Sequence, residues 1–227
     1  IWTLITLIKP IIEGMKISVK SMNSSAAERE THRMDTDMST KSVLIVFAII
    51  LIGLVVTFWD FVSAVPISAG LMWTLVVVGV VVALLIGFFV AAACGYMAGL
   101  IGTSASPISG IGILATLISS LVVYFIASEN NLFATEAGVQ FATAMAIFMT
   151  SVVIAIASIS NDNLQDLKTG QLVGATPWRQ QIALLLGSVA GAIAIAPVLN
   201  LLYQAYGFTG ALPRAEMDPN AALSAPQ

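Results

Sequence analysis

Between Phe61 and Ser128 lie 68 consecutive residues without a single Asp, Glu, Lys, Arg or His. Soluble domains carry about 25% charged residues, so a water-exposed chain would not stay bare of charge for so long. Two more uncharged runs follow, Ala137 to Ser160 (24 residues) and Gln180 to Tyr206 (27 residues). A helix that crosses a bilayer needs about 20 mostly apolar residues, and each run supplies them. The whole chain is 58% hydrophobic and 9% charged, with a mean hydropathy of +0.97. The fold class expected is therefore all-α, a polytopic integral membrane helix bundle. The basic residues form no stripe, which excludes a nucleic-acid surface. Cys94 is the only cysteine and has no partner for an internal disulfide.

The pattern predicts five complete spanning helices at about 42–59, 70–97, 108–127, 137–160 and 177–206, preceded by one partial N-terminal helix. Ile1 to Ile8 reads as the end of a helix that starts earlier, so the chain is expected to be an internal portion of a longer one. Residues 1–41 are then the end of that helix plus a cytoplasmic connector, residues 42–207 the transmembrane bundle, and residues 208–227 a polar tail or connector. Within the connector, Ile11, Ile12, Met15 and Val19 have the spacing of a short helix lying on the headgroups. His32, the only histidine, sits in the polar part and reads as a solvated side chain.

Two stretches interrupt the apolar runs. Gly99 to Gly112 contains glycine, serine, threonine and proline but no charge, although the chain must reverse direction near it. Helix-breaking backbone at membrane depth is tolerated where protein covers it or where it lines a watery cavity, which makes a discontinuous helix near residues 99–112 the sharper reading. Transporters place solutes at such breaks, where amides at helix N-termini face carboxylates and free carbonyls face cations. A tight interfacial turn is the plainer alternative. The second stretch, Asn161 to Arg179, sets Asp162, Asp166 and Lys168 between two spanning runs. Carboxylates near hydrocarbon commonly mark solute or ion paths, whereas the plainer alternative is a wet loop. If the fourth helix continues past Ser160, Asp162 and Asp166 share one face. The candidate path residues are Gly102, Thr103, Ser104, Ser106, Pro107, Ser109 and Gly110 from the first stretch, with Asn161, Asp162, Asn163, Gln165, Asp166 and Lys168 from the second. No cofactor, metal site or catalytic residue is expected.

Elsewhere the helices carry packing signals. Ala91, Gly95 and Gly99 recur every four residues, as do Gly187 and Gly191, and such small-residue faces let helices approach closely. Thr176-Pro177 starts the last helix and Pro197 is expected to kink it. Basic residues orient the bundle. With the first connector inside, alternation through five crossings puts eight Lys and Arg inside and one, Arg214, outside. That asymmetry follows the positive-inside rule and places both special stretches at the same membrane face.

Gly-Leu-Ile-Gly-Thr-Ser-Ala-Ser-Pro-Ile-Ser-Gly at 99–110 and Asp-Asn-Leu-Gln-Asp-Leu-Lys-Thr-Gly-Gln-Leu-Val-Gly-Ala-Thr-Pro at 162–177 resemble the oligopeptide transporter family, bacterial members in particular. Trp2-Thr3, Lys9-Pro10, Pro197-Val-Leu-Asn200 and Tyr206-Gly207 are also similar to its pattern. The resemblance implies a secondary transporter, usually proton-coupled, that moves small peptides or, in the yellow stripe-like branch, metal chelates. Family members are longer, so the remaining helices of a parent chain are expected as partners, together with the peptide or peptide-like solute, protons and membrane lipid. A bacterial inner membrane is the expected location. The Asn-Pro-Gly motif of the eukaryotic peptide-transporting branch is absent.

Two other classes compete. A membrane hydrolase using Ser104, Ser106 or Ser109 lacks a positioned base, since a serine nucleophile needs one and the sole histidine lies in the polar connector. A structural or channel-forming component would use the glycine faces for packing alone.

Overall fold

The computed structural model describes residues 12–13, 36–103 and 106–206. Its elements in order are α1 (Thr40–Ser63), α2 (Ala69–Ile101), α3 (Ile108–Glu129), a 3-10 turn (Leu132–Ala134), α4 (Glu136–Val173) and α5 (Pro177–Tyr206). All five α-helices are long and apolar enough to cross a membrane, and the protein is an integral membrane helix bundle. The partial helix at residues 1–8, most of the amphipathic segment and the tail after Tyr206 lie outside the described residues. The chain falls into two compact units, residues 1–180 and residues 181–227.

Hydroxyl side chains set the helix starts. Ser39 caps α1 by accepting from the Ser42 N–H, Ser68 caps α2 by accepting from the Leu71 N–H, and Thr135 caps α4 by accepting from the Gly138 N–H. Each satisfies one of the orphan donors of a first turn. Gly138 also has to be small, because a Cβ there would lie 2.8 Å from the Leu132 carbonyl carbon.

In the first unit α2 and α4 run side by side in parallel. Gly87 lies under Ile156 and Gly95 under Leu164 and Ser160, so the pairing advances in the same direction along both helices. The small-residue face of α2 is what admits α4 so closely, as expected where van der Waals contact rather than the hydrophobic effect drives helix association. α1 and α3 run antiparallel to this pair. Phe61 stacks on Phe148 at 4.4 Å, and Phe58 meets the same ring edge-on at 5.0 Å. One core cluster gathers Phe58, Val62, Leu75, Val76, Met145 and Met149. A second, nearer the other end, gathers Val90, Cys94, Ile111, Ala115, Val153 and Ala157.

The fourth helix is longer than the apolar run that announced it. It passes through Asn161-Asp-Asn-Leu-Gln-Asp and ends at Val173, since none of those residues breaks a helix. Gly174 closes it at φ 73°, with the Ala175 N–H reaching back to the Gly170 carbonyl at 2.8 Å. That 6→1 bond with a left-handed glycine is a Schellman ending. At 1.5 Å per residue, Asn161 lies about 38 Å along the axis from Glu136, beyond a hydrocarbon core of about 30 Å. The segment from Asn161 onward thus emerges at the headgroup layer. The second unit holds α5 from residue 181 onward, with Pro197 inside the helix.

Candidate functional site

The chain leaves α2 at Ile101 and enters the antiparallel α3 at Ile108, so the glycine and serine stretch is a tight reversal between two helices, the plainer of the two readings, and this uncharged break is not a discontinuity within one helix. Gly102 ends α2 at φ 97°, ψ 165°, a backbone region that essentially only glycine occupies. Its N–H still bonds the Ala98 carbonyl at 3.0 Å. The Thr103 carbonyl accepts from the Ser106 N–H at 3.1 Å, which folds the break on itself. Pro107 precedes α3, and no side chain caps that helix. The Ile108 N–H donates to the Ser106 carbonyl at 2.9 Å, which leaves the next first-turn N–H groups, at Ser109 and Gly110, at the positive dipole end as an anion-binding position.

Helix α4 holds this break through two carboxamides. The Thr103 N–H donates to Gln165 Oε1 at 3.1 Å. The Ser106 hydroxyl donates to Asn161 Oδ1 and also lies 3.5 Å from the Cys94 carbonyl oxygen. Asn161 is 2% exposed and Gln165 half-buried. The two stand four residues apart, on one face of α4, and meet the break at two successive turns. One residue earlier, the Ser160 hydroxyl donates to the Ala91 carbonyl at 2.7 Å and ties α4 to α2 beside the site.

The carboxylates stand elsewhere. Asp162 and Asp166 are exposed and, among the described residues, form no hydrogen bond or ion pair. Successive residues on a helix turn by about 100°, so this second i, i+4 pair points away from the face that grips the break. Asn163 is half-buried, and Lys168 is exposed with its ammonium donating to Gln171 Oε1 at 3.0 Å. Pro107, Ser109 and Gly110 are exposed at the start of α3, and Ser104 lies outside the described residues. Next to the break, a surface recess of about 250 Å³ opens between Asp37, Gly99, Leu164, Lys168 and Pro177. The Trp178 N–H donates to the Thr36 carbonyl at 3.3 Å, so the end of the first connector, the break and the end of α4 meet at one end of the bundle.

Sequence reasoning passed over Ser160 and gave Asn161 and Gln165 no precedence over the charged residues. The available signal is a row of fours: Met149, Val153, Ala157 and Asn161 are all buried. A polar residue that continues an apolar i, i+4 row is placed to face protein. Among the described residues no group of three or more His, Cys, Asp or Glu is placed to hold a metal ion.

The family model for OPT oligopeptide transporter proteins matches residues 1–227. A Haemophilus influenzae protein provisionally named an oligopeptide transporter is 54% identical over all 227 residues. The chain spans 36% of that relative's length. No solved structure matches.

Proposed function

This chain belongs to the oligopeptide transporter family, and from that premise we propose that the protein it helps to form is a proton-coupled secondary carrier of oligopeptides or peptide-like solutes. The observation that carries the reading is the uncharged break between α2 and α3, gripped by Asn161 and Gln165 and opening onto an uncapped helix start. A peptide presents a carboxylate, which suits the amides of the first turn of α3, and a repeating set of amide donors and acceptors. Hydroxyls and carboxamides can exchange such bonds without the desolvation cost of a charge, which keeps binding reversible. These are properties of a carrier rather than of a catalyst. Asp162 and Asp166, accessible beside the break, supply carboxylates for proton loading, and the remaining helices of the longer protein complete the path. The basic connector inside and a bacterial inner membrane complete the proposed setting.

The test is uptake of labelled short peptides into liposomes that hold the complete parent protein, with and without an inward proton gradient. Gradient-driven uptake is expected, and Asp162→Asn is expected to abolish the gradient dependence while the protein still inserts. Unchanged uptake in that variant would remove Asp162 from coupling. A folded parent protein that carries no peptide under either condition would overturn the reading.

A further inference from the structure

A second polar feature lies further along α4. Between α3 and α4 a groove of about 590 Å³ is lined by Thr116, Ser120 and Tyr124 from one helix and Thr143, Thr150 and Ser151 from the other. Its size falls within the range of small-molecule sites, about 300 to 1,000 Å³. No charged residue lines it.

The hydroxyls are arranged in a particular way. Those of Thr116, Thr143, Thr150 and Ser151 each donate to the carbonyl four residues back, at 2.8, 2.9, 2.8 and 2.9 Å. Their hydrogens are used, so each oxygen offers the groove only lone pairs. Ser120 and Tyr124 have no hydrogen-bond partner among the described residues and keep both capacities. Most of the wall is apolar, from Val123, Phe133, Ala142, Ala146, Ile147 and Ile154, and its polar points are neutral and mainly acceptors, the complement of amide N–H groups or a terminal ammonium.

The groove is also in register with the break. Ile147, Ile154 and Asn161 are seven residues apart, and a straight helix drifts only about 20° per seven residues. Ile147 and Ile154 line the groove, and Asn161 grips the break. Both features therefore open along one α3–α4 seam, about 17 Å apart from Thr150 to Asn161. Between them Ile154 lies against Gly112, whose missing Cβ would stand 3.5 Å from the Ile154 Cδ1.

We propose that the α3–α4 groove is a peptide-backbone binding site on the transport path, in which the hydroxyls of Thr116, Thr143, Thr150 and Ser151 accept from the main chain of the solute and those of Ser120 and Tyr124 accept or donate, with Ile154 over Gly112 as the constriction between groove and break. The proposal rests on the carrier reading above. Because it engages the main chain and no side-chain charge, the site binds short peptides with little regard to sequence. A further spanning helix of the parent chain seated in the groove is the competing occupant, and the test separates the two.

Ser120→Cys and Thr143→Cys, both exposed positions on opposite walls, are made in the complete parent protein in liposomes. Each is treated with a cationic, membrane-impermeant methanethiosulfonate, with and without trialanine, and the wild-type protein labelled in parallel sets the background. Modification slowed by trialanine at both positions is expected. Ser120→Ala and Ser151→Ala are expected each to raise KM for trialanine about fivefold with little change in kcat, the loss of one neutral hydrogen bond. Cysteines that stay unreactive, or react at a rate that trialanine leaves unchanged while the wild type still transports it, overturn the groove and leave the carrier reading standing. A wild type that carries no peptide overturns the carrier reading and the groove with it.

Discussion

Replacing Asn161 by leucine keeps the branched heavy-atom shape of the side chain and removes the acceptor for the Ser106 hydroxyl. Asn161 is 2% exposed, so no water replaces the lost bond. A buried donor left unsatisfied costs about 1 to 3 kcal/mol, and the nearby Cys94 carbonyl, 3.5 Å from the Ser106 oxygen, recovers part of it. A net loss of about 2 kcal/mol in the stability of the break against local opening corresponds to about a thirtyfold rise in amide exchange there. Gln165→Ala frees the half-buried Thr103 N–H and is expected to cost about 1 kcal/mol, a fivefold rise. The assay is hydrogen exchange by mass spectrometry on the parent protein in nanodiscs, read on peptides covering residues 99–110. Because both carboxamides hold the same six-residue link, the double variant should exceed neither single effect by its full additive amount. Exchange over 99–110 that stays at the wild-type rate in both single variants would refute the claim that α4 holds the break.

Gly79→Ala places a Cβ 2.7 Å from Cδ1 of the fully buried Phe58 ring, which Phe148 already confines. An overpacking cost of about 1 to 3 kcal/mol is expected as a lowered unfolding temperature of the parent protein in detergent, partly recovered by adding Phe58→Leu; a Gly79→Ala protein as stable as wild type would contradict the packing of α1 on α2. Gly102→Ala meets no atom within 4 Å, yet it forces an L side chain to φ 97°. That strain of about 1 to 3 kcal/mol should lower peptide uptake, while Gly53→Ala in α1, which also meets nothing within 4 Å at an ordinary φ, should leave uptake unchanged. Equal uptake by the two variants would show that the backbone at Gly102 is not restrictive.

The spanning helices were legible because charge is excluded wherever the chain meets lipid. The 68-residue uncharged span, together with the later runs, announces the bundle before any residue is placed. The interruption near residues 99–112 was legible too, because glycine, serine and proline without charge stop a helix, but its form was not: the composition suited a discontinuous helix and the chain makes a tight reversal there. The phase of α4 was hidden. In a soluble helix the apolar stripe shows which side faces protein, but Ala137 to Ser160 is apolar all round, since lipid and protein neighbours ask for the same residues. The docking of α4 is fixed instead by Gly87, Ala91 and Gly95 across on α2, and only that contact tells whether Asn161 or Asp162 turns toward the break. The end of α4 was hidden for a different reason. Polar residues mark where hydrocarbon stops, and a helix can continue well beyond that point until a glycine such as Gly174 ends it.

That division between lipid boundary and helix end puts the two i, i+4 pairs of α4 in different surroundings, Asn161 and Gln165 against the break and Asp162 and Asp166 in water. A carboxylate in the place of Asn161 would have to be desolvated each time the break closed on it, at a cost of several kcal/mol for a buried charge. A carboxamide makes and releases the Ser106 hydroxyl at a cost of about one hydrogen bond, which thermal motion supplies readily. The carboxylates one residue further on, Asp162 and Asp166, stay in contact with water and take no part in the grip. Both pairs lie on one continuous helix, so under the carrier reading proposed above a movement driven at Asp162 and Asp166 would carry Asn161 and Gln165 with it. Transmission through a continuous helix needs no chain of side-chain rearrangements.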